Sequence, residues 1–291
     1  MMKPLVTVAI PTYNRPKLLV RALNSLVDQD YENLEIIISD NASPGNDVET
    51  IVELFKAKLK NIRFFKQARN IGALNNFFFL LDQAEGDYFM WLADDDEISK
   101  GFISHLTEIL IKNTDASCAS GNWFLMRNEF SGRLMPKLEY KNRHWFFRVT
   151  KYILFGKDDF FYGIHRVSTL KKAEYKKYFW PNQNQLSNWA YGYLLDQIIL
   201  GKVLVATDPS IKFINHDYGK KNYIISKQSL RNSIRDILRK FNLYVIYLTK
   251  IKKHQPQYIP PSVCIILIDF SKYLTSKTIK LFIKNFISNK N

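Results

Sequence analysis

Strand-length apolar runs alternate with helix-length apolar stripes from residue 5 to residue 92, and that alternation restricts the possible architecture more than any other feature of the chain. Residues 5–10, Leu-Val-Thr-Val-Ala-Ile, form a β-branched run that Pro11 stops, the pattern of a buried parallel strand. From Lys17 to Val27 the residues Leu18, Leu19, Ala22, Leu23 and Leu26 recur at three- and four-residue spacing, which predicts a helix. Leu34–Ser39, Ile62–Phe65 and Tyr88–Leu92 read as strands, and Val48–Leu59 and Ala73–Ala84 as helices. Strands separated by helices of this length imply an α/β fold on a mostly parallel, doubly wound sheet flanked by helices. Further on the pattern loosens. A strand near Ala116–Phe124, a helix over Leu186–Ile199 and strands at Lys202–Ala206 and Ile211–Ile214 are the readable elements.

Ligands in such sheets bind beyond the carboxyl ends of the strands. The polar clusters of this chain fall at those ends: Thr12-Tyr13-Asn14-Arg15, then Asp40-Asn41, then Asp94-Asp95-Asp96. Three adjacent carboxylates repel one another unless a cation sits among them. Hard oxygen ligands completed by diphosphate oxygens suit Mg²⁺ or Mn²⁺. A solvated acidic turn would show the same triplet, but the strand before it and Asp40 at a second strand end favour the metal. Asp40 can accept hydrogen bonds from a ribose hydroxyl or a base N–H, or else bond its own turn. Neither GxGxxG nor GxxxxGK[ST] occurs, so any phosphate falls to the metal and to side chains such as Arg69.

The chain has 291 residues, 46% of them hydrophobic, enough to bury a core. Its two cysteines, Cys118 and Cys264, are too far apart in sequence to suggest a zinc site or a disulfide framework, which fits a reducing cytosol. The first residues lack a signal-peptide core, and no apolar run approaches a membrane span. The net charge of +15 is uneven. Tyr218 to Asn291 holds 12 Lys and 3 Arg against Asp236 and Asp269, a net +13, which leaves +2 for the first 217 residues. Within this tail Arg231, Arg235 and Arg239 share a helical period with Ile234, Leu238, Phe241, Val245 and Leu248; Lys277, Lys280 and Lys284 share one with Ile279, Phe282, Ile283 and Phe286. Two basic amphipathic helices are expected, with an anionic membrane surface as their partner. Core-packed helices with a solvated basic face would give the same pattern one at a time; both together, with the +13, favour the membrane.

The ordered motifs Val8-Ala9-Ile10-Pro11-Thr12-Tyr13-Asn14-Arg15, Ser39-Asp40-Asn41-Ala42-Ser43, Arg69-Asn70-Ile71-Gly72, and Gly86-Asp87-Tyr88 running to Leu92-Ala93-Asp94-Asp95-Asp96 resemble those of family 2 glycosyltransferases with the GT-A fold. The likeness is close over residues 5–125 and looser to about 217. It implies a GT-A catalytic domain over 1–217, with a nucleotide-binding half at 1–125 and an acceptor half at 126–217, followed by the basic helical extension at 218–291. By the same resemblance Pro11, Thr12 and Tyr13 form the base platform, with Arg15 beside them. Asp40 reads base or ribose, and Arg69 meets the diphosphate or base. In the register of the metal motif Ala93 takes the place of the first carboxylate, so Asp95 is expected as principal metal ligand, with Asp94 on ribose or metal and Asp96 as a second candidate. Asp196, in Leu194-Leu195-Asp196-Gln197, matches the general base, although Leu195 replaces a common Glu. His216 matches a downstream metal ligand.

The activity implied is inverting transfer of a sugar from a nucleotide diphosphate sugar, UDP by family analogy, to a hydroxyl of a glycan or lipid-linked acceptor in cell-surface polysaccharide or lipopolysaccharide biosynthesis. The expected setting is cytoplasmic, at the inner face of the cell membrane. A nucleotidyltransferase would carry a Gly-rich basic loop near the N-terminus, where this chain has Pro11 to Arg15. A nucleic-acid-binding protein would leave the aspartates unexplained, so no nucleic-acid partner is expected.

Overall fold

The computed structural model of the chain describes residues 3–128, 131–135, 137–155, 160–173 and 186–214, together with 244, 245, 247–249, 252 and 266. His216 and the expected tail helices fall outside the described residues. Backbone proximity divides the chain into two units, Met1–Trp145 with Lys157–Asn222, and Phe146–Gly156 with Tyr223–Asn291.

The first unit opens with the anticipated alternation: β1 (Val6–Thr12), α1 (Pro16–Val27), β2 (Leu34–Asp40), α2 (Asp47–Lys56), β3 (Ile62–Lys66), α3 (Ala73–Gln83) and β4 (Tyr88–Trp91). These strands lie parallel in the order β3-β2-β1-β4. Their burial follows from the apolar runs. Every residue of β1 is buried, so one side of the strand needs helices as much as the other. Val6, Val8 and Ile10 pack in one cluster with Leu19, Leu23 and Leu26 of α1, Val48 and Val52 of α2, and, from α4 (Phe102–Lys112), Phe102, Ile103, Leu106 and Leu110. On the opposite face Trp91 of β4, packed edge-on against Phe89 of the same strand, meets Phe77 of α3 and Tyr193 of α7 (Leu186–Leu200). Each such leucine or phenylalanine, wholly withdrawn from water, contributes about 1.5–3 kcal/mol.

Beyond β4 come β5 (Asp96–Ile98), then α4, β6 (Ala116–Asn128), β7 (Ser131–Met135), α5 (Trp145–Phe155, in the second unit from Phe146 on), β8 (Ile164–Arg166), α6 (Val167–Leu170), α7 and β9 (Lys202–Ile214). The sheet continues β4-β8-β6-β9-β5, with β7 on β6. β8 runs antiparallel to both neighbours, which returns β6 to the direction of β4 and sends its carboxyl end to the same side as those of β1, β2 and β4. The two strands expected at 202–206 and 211–214 are one element, interrupted where Ser120 and Asn122 of β6 face Val205 and Ser210. Pro209, which has no amide hydrogen to donate, lies in that interruption, and Asn122 Nδ2 closes it onto the Thr207 carbonyl (2.8 Å).

The amino ends of the strands are tied by a buried carboxylate. Glu35 accepts from Thr7 Oγ1 (2.5 Å), Arg63 Nη1 (2.5 Å) and the Glu85 amide (3.0 Å). Gly86 follows, and a Cβ there would lie 2.7 Å from both Thr7 Oγ1 and the Tyr88 carbonyl, so only glycine fits. This end is structural. Chemistry is left to the other.

Candidate active site

At the carboxyl ends Thr12 sits between the two acidic strand ends. Its backbone pairs with Asp40 in the β1–β2 register, and its hydroxyl donates to Asp94 Oδ2 at 2.7 Å. Asp40 and the acidic run are thus one strand apart on either side of β1, as the expected convergence requires.

The chain turns immediately after each strand. Asn14 is left-handed at φ 54°, a conformation asparagine tolerates, and it carries β1 into α1 with Pro16 in the first turn. Ala42, at φ 63°, has no such excuse and costs about 1–2 kcal/mol. That strained turn is held by Asp40 Oδ1, which accepts from both the amide and the hydroxyl of Ser43. Ser43 Oγ accepts in turn from the Asn14 amide at 2.7 Å. Asp40 therefore orders two loops at once.

Asp94 and Asp95 converge on a single nitrogen. Arg15 Nη1 lies 3.3 Å from Asp94 Oδ1 and 3.1 Å from Asp95 Oδ2. Burial pushes the Asp94 carboxyl up to about 6; the neighbouring Asp95 adds to the rise, and the Thr12 hydroxyl and Arg15 oppose it. Asp95 is more open to solvent. Asp96 is not brought to this point: it is buried in β5, opposite Phe213 of β9.

Thr12, Arg15, Asp94 and Asp95 line a cleft of ≈ 470 Å³ that also takes in Pro11, Tyr13, Asn41, Asn70, Ala73, Asn76, Phe77 and Tyr162; Asp40, buried behind Asn41, is outside the lining. The three asparagines form a wall; Asn41 and Asn70 stand in the motifs at 39–43 and 69–72, and Asn76 lies outside them. Asn41 donates to Asn70 Oδ1 (3.0 Å) and accepts from the Ile71 amide (2.8 Å). Asn76 Oδ1 accepts from Ser39 Oγ (2.6 Å), while its Nδ2 donates to the Ser39 carbonyl (3.0 Å). A polar residue amid the apolar stripe of α3 was the available signal for Asn76. Beneath the cleft Trp91 stacks on Phe161 (4.5 Å, 11°) and donates to the Phe77 carbonyl (3.1 Å).

Of the other anticipated residues, Tyr13 is exposed at the cleft and Arg69 is exposed in the loop after β3, outside the lining. Asp196 is 4% exposed on α7 and also outside the lining, so it is no helix-surface charge. Its helix is pinned by Tyr193 edge-on to Trp91 (5.7 Å) and by Gln197, which accepts from Thr169 Oγ1 (2.9 Å). Cys118 and His165 lie buried away from the cleft. Burial raises the thiol and lowers the imidazole to about 4, so neither is charged at neutral pH.

Among the described residues no group of three His, Cys, Asp or Glu side chains converges as a metal cage. The donor set nevertheless suits Mg²⁺ or Mn²⁺, which needs only one or two carboxylates when phosphate and water complete its shell. Asp94 and Asp95 already share one cationic atom, which shows that both can face a single positive charge.

A mostly parallel sheet with this cleft at its carboxyl edge defines a GT-A glycosyltransferase domain. S. aureus TarS 1–349 in complex with UDP-GlcNAc superposes with a TM-score of 0.60 over 84% of this chain and 66% of that one, at 19% identity, a likeness of fold. The chain belongs to glycosyl transferase family 2, whose model matches residues 7–184. It is 35% identical over 144 residues, 46% of this chain and 44% of the relative, to a GalNAc(5)-diNAcBac-PP-undecaprenol beta-1,3-glucosyltransferase of Campylobacter jejuni. It is 33% identical over 114 residues, 38% of this chain and 34% of the relative, to the abequosyltransferase RfbV of Salmonella typhimurium. The chain thus spans less than half the length of these curated relatives.

Proposed function

We propose that the chain transfers a sugar from a UDP-linked donor, with inversion, to a hydroxyl of a lipid-linked or glycan acceptor in cell-surface polysaccharide or lipopolysaccharide assembly. The observation that carries this reading is the convergence of Asp94 and Asp95 on one cationic atom, with Asp40 one strand away across Thr12. The undecaprenol-linked acceptor in the name of the Campylobacter relative supports the acceptor class, and the UDP-GlcNAc complex of TarS supports the donor.

The exposed ring of Tyr13 serves as the platform on which the base stacks. Asp40 Oδ1 is held by Ser43, which leaves Oδ2 for a base N–H or ribose hydroxyl. Asp95, with Asp94, would hold a divalent ion, and when bound that ion supplies charge neutralisation to the departing diphosphate. Asp96 and His216 remain proposals as further ligands, and Arg69 as a diphosphate or base contact. Arg15, already cationic at this point, lies within reach of the same phosphate charge.

Asp196 takes the proton of the acceptor hydroxyl as its oxygen bonds to the anomeric carbon and the bond to the diphosphate oxygen breaks on the opposite face. One displacement inverts the centre. The role requires Asp196, nearly buried here, to come within reach of the acceptor when substrates bind. The tail at 218–291 is the proposed contact with the anionic membrane; among the described residues no helix is long and apolar enough to cross one.

The test is UDP-sugar turnover with Mn²⁺ alongside calorimetric donor binding. Asp95→Ala should lose donor affinity and at least about 10²-fold in turnover, the scale of a lost transition-state electrostatic contact. Asp196→Asn should bind donor normally and lose turnover. Full activity in a folded Asp95→Ala protein would end the proposal.

A further inference from the structure

In the second unit, α5 carries a surface that sugar transfer leaves unused. Its inward residues are apolar or packed: Phe146, Val149, Tyr152 and Ile153 are buried, together with Arg148. Outward, Phe147 is 56% exposed and Phe155 62% exposed, and Lys151, midway between them, is exposed as well. Residues four apart stack on one helical face, so Phe147, Lys151 and Phe155 form a single stripe about two turns long. One exposed phenylalanine is unremarkable on a protein surface; two aligned with a lysine on one helix mark an interaction face.

Charge selects the partner. Residues 146–156 contain Arg148 and Lys151 and no acidic residue. The rest of this unit, Tyr223–Asn291, carries 10 Lys and 3 Arg against Asp236 and Asp269. A second copy of the chain would set like charge against like, whereas an anionic bilayer offers an apolar boundary for the two rings and negative headgroups for Lys151. We propose that α5 is an interfacial helix that lays the Phe147-Lys151-Phe155 stripe into the headgroup region of an anionic membrane. The inference concerns a surface separate from the donor cleft and stands whether or not the assigned reaction is correct.

The experiment is flotation of the full chain with phosphatidylglycerol–phosphatidylcholine vesicles and with pure phosphatidylcholine vesicles, for the wild type, Phe147→Ser/Phe155→Ser and Lys151→Glu. The wild type should float with the anionic vesicles only, and each variant should bind them on the order of tenfold more weakly, with the melting temperature and metal-dependent UDP-sugar hydrolysis in free solution unchanged. Lys151→Glu keeps the apolar stripe, so it decides the matter if the double variant melts early. Wild-type flotation by folded variants, with loss only on removal of 229–291, would assign membrane contact to the tail and overturn the proposal. So would equal binding to neutral vesicles, tighter binding to duplex DNA, or light scattering in which the wild type is a dimer and the variants are monomers.

Discussion

Asp94→Asn isolates the energetic tension built into the donor cleft. Asp94 is buried against Thr12, and its carboxyl rises from 3.8 to about 6 because burial outweighs what Arg15 and the Thr12 hydroxyl return. Between those two values the unfolded chain has given up this proton and the native protein has kept it. The native state therefore binds more protons, and stability falls as pH rises through that window, then levels off above it. A shift of about two units corresponds to about 3 kcal/mol at 1.36 kcal/mol per unit. Asparagine keeps an acceptor for Thr12 and cannot ionise, so the variant should escape the loss. Urea denaturation in EDTA, run from pH 3 to pH 8, should show the stability difference between variant and wild type growing by about 3 kcal/mol in favour of the variant. In thermal melts this is a shift of roughly 6–12 °C. Mn²⁺ with UDP should narrow the difference by binding only the folded wild type. A difference that stays constant with pH to within about 0.5 kcal/mol would show that Asp94 is not held in a poorly solvated position, and the account of the cleft would fail with it.

The opposite end of the sheet offers two structural tests. Glu35→Ala strips acceptors from Thr7, Arg63 and the Glu85 amide together and should destabilise by about 3 kcal/mol, measured by urea denaturation, with little change in donor affinity of the folded fraction. Gly86→Ala forces a methyl group against the Thr7 amide and the Tyr88 carbonyl, which cannot swing aside as a side chain can, and should lower the melting temperature by several degrees, of the order expected for overpacking; an unchanged melt would show that the close approach at Gly86 is not tight in solution.

Local physics was enough for the first ninety residues. The apolar runs ending at Pro11, Asp40 and Leu92, and the three- and four-residue stripes between them, determine strand or helix wherever they occur, because burial of one face or two is written in the period itself. Strand ends follow from strand limits, so Thr12, Asp40 and Asp94 could be placed at one edge before any coordinates. What failed was whatever depends on a distant partner. β8, three residues long, is too short to show a period, and Asp96-Glu97-Ile98 becomes a strand only because β9 pairs with it. The same limit governs the site. Consecutive acidic residues look alike in a string of letters, but Asp94 and Asp95 lie in the turn before β5 and meet Arg15, while pairing with β9 draws Asp96 into the strand and buries it. Asn76 reaches the cleft wall, and Asp196 is withdrawn into a packed helix, for the same reason: the direction of a side chain and the company it keeps are set by the elements that pack around it, and those arrive from far along the chain.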